Sequence, residues 1–387
     1  MSITQHTPQR ALRSAAPGQA TPRCANTAEH QARLAWRLTP RDRWIIRMLH
    51  EHRVLTSTQI TALAFPSYRS GTQRLRELYL WSVIDRFQPF ASVGTAPMHY
   101  VLGTAGAAVL AAEEGLEVKD LGYRHNRAFG VAHNLRLAHL VGVNEWFTAL
   151  IAATRHVTAR HDNRADGSEP GRDTAVGAWW SEARCARHFG DLTKPDAYGR
   201  FHRDGRHVEF FLEFDQGTEA LAKLAGKLAG YAALAAATGI TTPLLIWLPT
   251  ARREASARRQ LHRIWQGLDQ PDTVPVATAA AGLLDPHAAH PSPADPVWLP
   301  LHISPGATPA GAGARLPLHH LAEAWPNVHP PESAAHPSDN RGGADGADGN
   351  PPDHGRDTGT RAEQPHRLAP PHPMPPVGSR HAARPRR

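Results

Sequence analysis

Apolar positions follow helical spacing first. Trp44, Ile45, Met48 and Leu49 fall on one stripe. Thr39-Pro40 precedes it, a residue that can accept from free N–H groups followed by one that suits the first helical position. Thr56-Ser57-Thr58-Gln59 makes a capping box, with Leu55 and Ile60 as a hydrophobic staple, so a short second helix is expected up to Pro66. A third, over about 69–80, turns Leu75 and Leu78 inward and leaves Arg69, Gln73, Arg74 and Arg76 outside. Residues 83–87 and 98–102 then read as strands around a Pro/Gly turn, and Thr104 caps a helix reaching Ala112.

A long amphipathic helix over 131–154, carrying Trp146, Phe147, Leu150 and Ile151, leads to a second patterned block. Its start, 179–184, reads as short helix or extended chain. A strand runs from Lys194-Pro195-Asp196 through Phe201. Asp204-Gly205 signals a hairpin turn, and 208–214 is its apolar return. Thr218 caps a helix over 219–236. A buried strand (243–248), a basic helix (252–264) and a last strand (274–277) follow.

This predicts an α+β chain with a disordered arm (1–32), a first domain (33–116), a connecting helix (117–154), an α/β domain (155–284), a weakly ordered extension (285–325) and a disordered Pro/His-rich tail (326–387). The tail offers too little apolar surface to offset its ordering entropy, so nothing in it is expected to dock. The 34 Pro are concentrated toward the ends, with 24 of them in residues 1–32 and 285–387. No 18-residue apolar run and no signal-peptide core are present, and two cysteines make no disulfide framework. A reducing, cytoplasmic setting without membrane contact is expected.

Charge narrows the partner. The net charge is +8, and between Arg33 and Arg86 ten Arg face four Asp or Glu. Such a surface attracts polyanions, nucleic acid first. Helix, short helix, helix and hairpin is the order of a winged helix-turn-helix, whose third helix enters the major groove of double-stranded DNA. Arg69, Gln73, Arg74, Arg76 and Arg86 are the candidate DNA contacts, Arg suiting phosphate and guanine.

Acidic residues mark a second candidate. Pro195-Asp196, followed after one hairpin by Glu213-X-Asp215, resembles the core of the restriction-endonuclease-like superfamily. That resemblance implies acidic ligands for Mg²⁺ (or Mn²⁺) and a Lys assisting the attacking water. Asp196, Glu213 and Asp215 would be ligands and catalytic groups, with Glu182 as an accessory acid. Asp215 stands where the signature has Lys, so Lys223, which shares a helix face with Lys227, is the candidate helper. The three carboxylates are expected at one end of a sheet, Glu213 and Asp215 on the same face.

A wider resemblance covers about 38–253. The segments LTPRDRWIIRMLHEHRVLTSTQI, KPDAYGRF and FFLEFDQGTE are similar to the replication-relaxation family of actinobacterial and Firmicute plasmids and mobile elements. This implies a DNA-binding role in plasmid replication or relaxation, with replication or transfer proteins as partners. Three functions follow: a DNA-binding factor with an inactive nuclease-like domain, an active divalent-metal nuclease, or a transcriptional regulator. His50-Glu51-His52 has a charged centre, unlike a relaxase metal pair, and neither a Walker-type loop nor Gly-X-Ser-X-Gly is present.

Overall fold

A computed structural model describes residues 23–90, 94–161, 174–280, 292–307, 314–329 and 368–376. In chain order the first unit is Ala28–Arg37 (α1), Pro40–His52 (α2), Leu55–Thr56 (β1), Ser57–Ala64 (α3), Tyr68–Leu80 (α4), Ile84–Phe87 (β2), His99–Leu102 (β3) and Thr104–Glu113 (α5). Then come His125–Phe129 (α6) and Leu137–His161 (α7). The second unit is Ala175–Ser181 (β4), Glu182–Phe189 (α8), Ala197–Arg203 (β5), Arg206–Phe214 (β6), Leu221–Thr238 (α9), Leu244–Leu248 (β7), Ala251–Gln266 (α10), Val276–Ala280 (β8), Leu299–Pro300 (β9) and Leu321–Ala324 (α11). The chain is thus a mixed α+β molecule. No helix among the described residues is long and apolar enough to cross a membrane.

Local chemistry accounts for the first unit. Thr39 and Thr56 each close a capping box, with Asp42 and Gln59 as reciprocal partners, which fixes the starts of α2 and α3. Leu75 and Leu78 of α4 are fully buried. A three-stranded antiparallel sheet in the order β1-β3-β2 backs the helices, with Leu55 opposite Tyr100 and Ile84 opposite Leu102.

The second unit is a six-stranded sheet ordered β4-β5-β6-β7-β8-β9. Strands β4 to β6 are antiparallel, β6 to β8 parallel, and β9 returns antiparallel. Asp204 and Gly205 turn the β5–β6 hairpin with φ of 52° and 73°, the left-handed pair that a type I′ turn needs. Helices α9 and α10 cover one sheet face, packing on Phe211, Ile246 and Val276. Helix α7 covers the other, where Trp146 and Phe147 meet Phe210, Trp179 and Trp247. This second core runs on without a break into the first unit, so α7 is shared ground between the two.

Thr104 and Thr218 do not cap their helices, since α5 begins at Thr104 after Gly103 and α9 at Leu221 after Ala220, and three larger expectations change. The long helix begins at Leu137, since Gly130–His133 is a 3₁₀ turn and Asn134 is extended. The segment before α8 is a full strand, β4. Its small residues and the register shift between Val176 and Ala178 hide the alternation. Part of each expected disordered end is also placed. Residues 23–37 dock through a hydrogen bond from Cys24 N to Leu80 O (2.8 Å), a His30 Nε2 contact with Trp81 O (2.8 Å) and buried Leu34. In the tail, the carbonyl of His372 accepts from the Trp44 indole (2.8 Å) and that of Leu368 accepts from Arg184 (3.0 Å). Buried donors needing acceptors overrode the composition of these segments.

Candidate functional site

Two places gather the functional candidates. The first is an open trough of about 780 Å³ between α4 and the β2–β3 hairpin. Arg69, Gln73 and Arg76 line it from one side of α4, at i, i+4 and i+7, and all three are exposed. Arg86 reaches it from β2, its guanidinium 4.2 Å from the Tyr79 ring centre. Ser57 and Thr58, at the start of α3, close one end. No Asp or Glu lines the trough among the described residues.

Arg74 is placed differently. Sequence spacing puts it outside with Arg76, but its side chain folds back on the helix pair. Its Nε and Nη2 donate to Asp42 (3.0 and 2.6 Å), and Nη1 donates to Glu77 (2.6 Å). Its guanidinium also lies 4.9 Å from the Trp81 ring centre. Burial lowers its pKa, but Asp42 and Glu77 outweigh this and raise it. Arg74 is a structural tie between α4 and α2. The buried Asp42 that claims it could not be seen in the local spacing.

The second place is a cleft of about 730 Å³ at the ends of β5 and β6. Ala197 stands opposite Leu212, so Asp196 and Glu213 face each other one residue beyond. Asp196 Oδ2 accepts from Phe214 N (2.9 Å), and Oδ1 lies 3.0 Å from His139 Nε2 of α7. That second contact is off the line of a formed hydrogen bond, so it binds as an ion pair only when the imidazole carries both protons. Gly142 permits the approach of α7. A Cβ there would sit 2.6 Å from the Phe214 ring. Burial pushes the Asp196 carboxyl up, but His139, Lys227 and the Phe214 N–H together hold it below its usual range.

Glu213 is fully enclosed. Lys227 Nζ of α9 donates to Oε2 (2.7 Å) and the Tyr231 hydroxyl donates to Oε1 (2.6 Å). Burial and the charge of Asp196 drive its pKa up to about 7 despite these donors. Burial alone would lower Lys227, but Glu213 and Asp196 raise it. Asp215 points to the same sheet face as Glu213 but reaches α10, not α9. It pairs with Arg253 through both oxygens and accepts from Gly217 N (2.8 Å). Glu182 sits at the mouth, paired with Arg136 (2.8 Å). Lys223 is exposed and paired with Glu219 (2.9 Å), so the lysine that meets Glu213 is Lys227, one turn further on.

Glu213 and Asp215 therefore each have their own cation, Lys227 and Arg253, while Asp196 has His139 beside it. Among the described residues, no group of three His, Cys, Asp or Glu side chains is placed to hold a metal ion. Sequence reasoning found the right strands and the Asp196–Glu213 pairing. It missed His139 of α7 and Arg136 just before that helix, some 60 residues away in sequence and beyond the reach of spacing. His50-Glu51-His52 is structural: Glu51 is chelated by Arg184 (2.9 and 2.7 Å) and His52 stacks on Trp179 at 3.8 Å.

No curated protein and no solved structure matches the chain. A family model does, over residues 46–245. That stretch runs from within α2 to the start of β7. It takes in the trough, α7 and the carboxylate cleft, and it is more than half of the 387 residues. The chain belongs to the replication-relaxation family.

Proposed function

We propose that this protein binds double-stranded DNA in the replication of a plasmid or mobile element, working in the cytoplasm beside replication or transfer proteins. In this reading the first unit is a winged helix-turn-helix, with α4 in the major groove and the β2–β3 hairpin as the wing. The carrying observation is the acid-free trough, into which Arg69, Gln73 and Arg76 project from one helix face and Arg86 from the hairpin. Arginines there can take phosphates, and Gln73 and Arg69 can reach base edges. The test is the salt dependence of duplex binding by the full chain. Arg69→Ala and Arg76→Ala should each weaken binding on every sequence and lower the log–log salt slope by about one. Unchanged affinity in the double variant overturns the groove assignment.

The second unit reads as a restriction-endonuclease-like fold without catalysis. A Mg²⁺ or Mn²⁺ ion needs several free oxygen ligands. Here Asp196 Oδ2 and both oxygens of Glu213 and Asp215 are already engaged by Lys227, Tyr231, Arg253 and backbone N–H groups, which leaves Asp196 Oδ1, beside His139, as the one carboxylate oxygen of the three without a hydrogen bond among the described residues. As arranged, these residues do not fit the ion. The rival reading, an active nuclease, draws on one observation: Lys227 meets Glu213 beside Asp196, the three residue types of such a site. A plasmid nicking assay with Mg²⁺ or Mn²⁺ separates them. Nicking that Asp196→Ala abolishes establishes the nuclease, and its absence together with duplex binding supports the inactive fold.

A further inference from the structure

A recess of about 250 Å³ lies where the two units meet, between the end of α2, the chain around α6 and the exposed side of α8. We propose that this recess is a binding site for a phosphate group, held by Arg53, Arg124 and Arg127. The three come from two separate parts of the chain. Arg53 is the C-cap of α2, Arg124 the N-cap of α6, and Arg127 lies one turn after it. Arg187 of α8 adds a fourth guanidinium to the wall.

Charge makes the case first. Arg53, Arg124 and Arg127 are exposed, and among the described residues none of them has an acidic partner. The recess lining contains one acid, Glu51, and that carboxylate is spent: Arg184 chelates it and Ser181 donates to it (2.8 Å). Like charges gathered around one small space repel unless an anion joins them. Guanidinium groups brought to one recess from separate parts of the chain suit the several oxygens of a phosphate.

Backbone geometry is the second, independent observation. Arg53 has φ 68° and ψ −40°, a positive-φ conformation outside the left-handed helical well, inside a tight turn closed by Val54 N donating to His52 O (2.8 Å). A non-glycine residue held in such a conformation stores strain, and strain of this kind collects at functional sites. Packing does not require an arginine there, since its side chain is exposed and, among the described residues, makes no hydrogen bond or ion pair. A phosphate ligand explains why the position carries a guanidinium.

The site is separate from the trough and does not rest on the DNA reading. The experiment is thermal unfolding of the full chain titrated with inorganic pyrophosphate. A ligand that binds only the folded state should raise the melting temperature with concentration. Arg53→Gly relieves backbone strain, so it should melt no lower than the parent, yet it should weaken the pyrophosphate effect about tenfold, the loss of one charge-assisted contact. Arg124→Ala and Arg127→Ala, both on the surface, should do the same. Arg69→Ala with Arg76→Ala should leave the effect intact. No rise with pyrophosphate, or a rise that survives unchanged in the Arg53→Gly, Arg124→Ala, Arg127→Ala triple variant, overturns the proposal. The source is read from a competition arm. Displacement of pyrophosphate by a short duplex assigns the site to a nucleic-acid backbone phosphate. Binding unmoved by the duplex assigns it to a small phosphorylated ligand.

Discussion

Two arginines on one helix separate structure from surface. Arg74 neutralises Asp42, whose side chain is 1% exposed, whereas Arg76 opens onto the trough. Arg74→Ala would leave a buried carboxylate with only Thr39 as donor, and should destabilise by about 2 kcal/mol, less than a fully buried pair because Arg74 is partly exposed. Arg76→Ala should stay within about 0.5 kcal/mol in the same denaturant titration. Lys227 poses the reverse problem. Lys227→Met strands Glu213 with Tyr231 as its remaining partner, at a cost of about 3 kcal/mol near neutral pH. The sign with pH follows from the raised carboxyl. A folded pKa of about 7 against an ordinary 4.5 means that stability is held below 4.5 and lost as pH rises through 7. Without Lys227 the carboxyl rises further, so the variant keeps losing stability above pH 7, where the parent has levelled off, and its deficit should widen as pH rises above 7 and stay level between 4.5 and 7. A deficit that does not widen above 7 would show that Glu213 is not the group responsible.

At the scale of elements, legibility tracked how local the determinant was. The capping boxes at Thr39 and Thr56, the Asp204-Gly205 turn and the Leu75–Leu78 face are set within a few residues, and each element formed where the pattern placed it. Strand β4 was hidden because Gly177 and Ala178 carry almost no apolar signal, and a neighbouring strand supplies the order instead. The carboxylate cleft was half legible. Strand register brings Asp196 to Glu213, but the cations come from α7, α9 and α10, whose rotation no spacing specifies. Composition misled most in residues 368–376. A Pro-rich segment cannot build a core of its own, yet it can offer carbonyls to donors already buried. Met374 also packs against the shared core. Ending the chain after residue 367 should therefore lower stability by about 1–3 kcal/mol, from two lost hydrogen bonds and an uncovered Trp44. Unfolding curves that superimpose for the two chains would show that the segment's docking contributes nothing.

The whole molecule turns on the junction between its units. Glu51 and His52, adjacent at the end of α2, both reach into the second unit, one to Arg184 and Ser181 and the other to the Trp179 ring. Their titrations act in the same direction. Burial raises Glu51, but Arg184, His52 and Ser181 bring it down to about 2 from an ordinary 4.5. Its stabilisation is present above 4.5 and is lost as pH falls toward 2. Burial lowers His52 to about 4 from 6.5, so the folded state refuses a proton that the unfolded chain accepts. That contribution is present above 6.5 and is lost as pH falls toward 4. Each shift is about 2.5 pKa units, at most about 3 kcal/mol. Acid should therefore loosen the junction in two stages, His52 first. His52→Phe keeps a ring against Trp179 without a titrating group, and should flatten the loss between 6.5 and 4 while leaving the lower stage. Glu51→Gln should already be weakened at neutral pH, because Arg184 keeps its charge in a buried place without a matching carboxylate. The same variant should lose the lower stage. Tryptophan fluorescence, to which Trp179 in the stack contributes as one of ten tryptophans, should follow both stages in the parent chain. A His52→Phe protein whose acid profile matches the parent would place the upper stage elsewhere, for instance at His50, whose pKa burial also lowers.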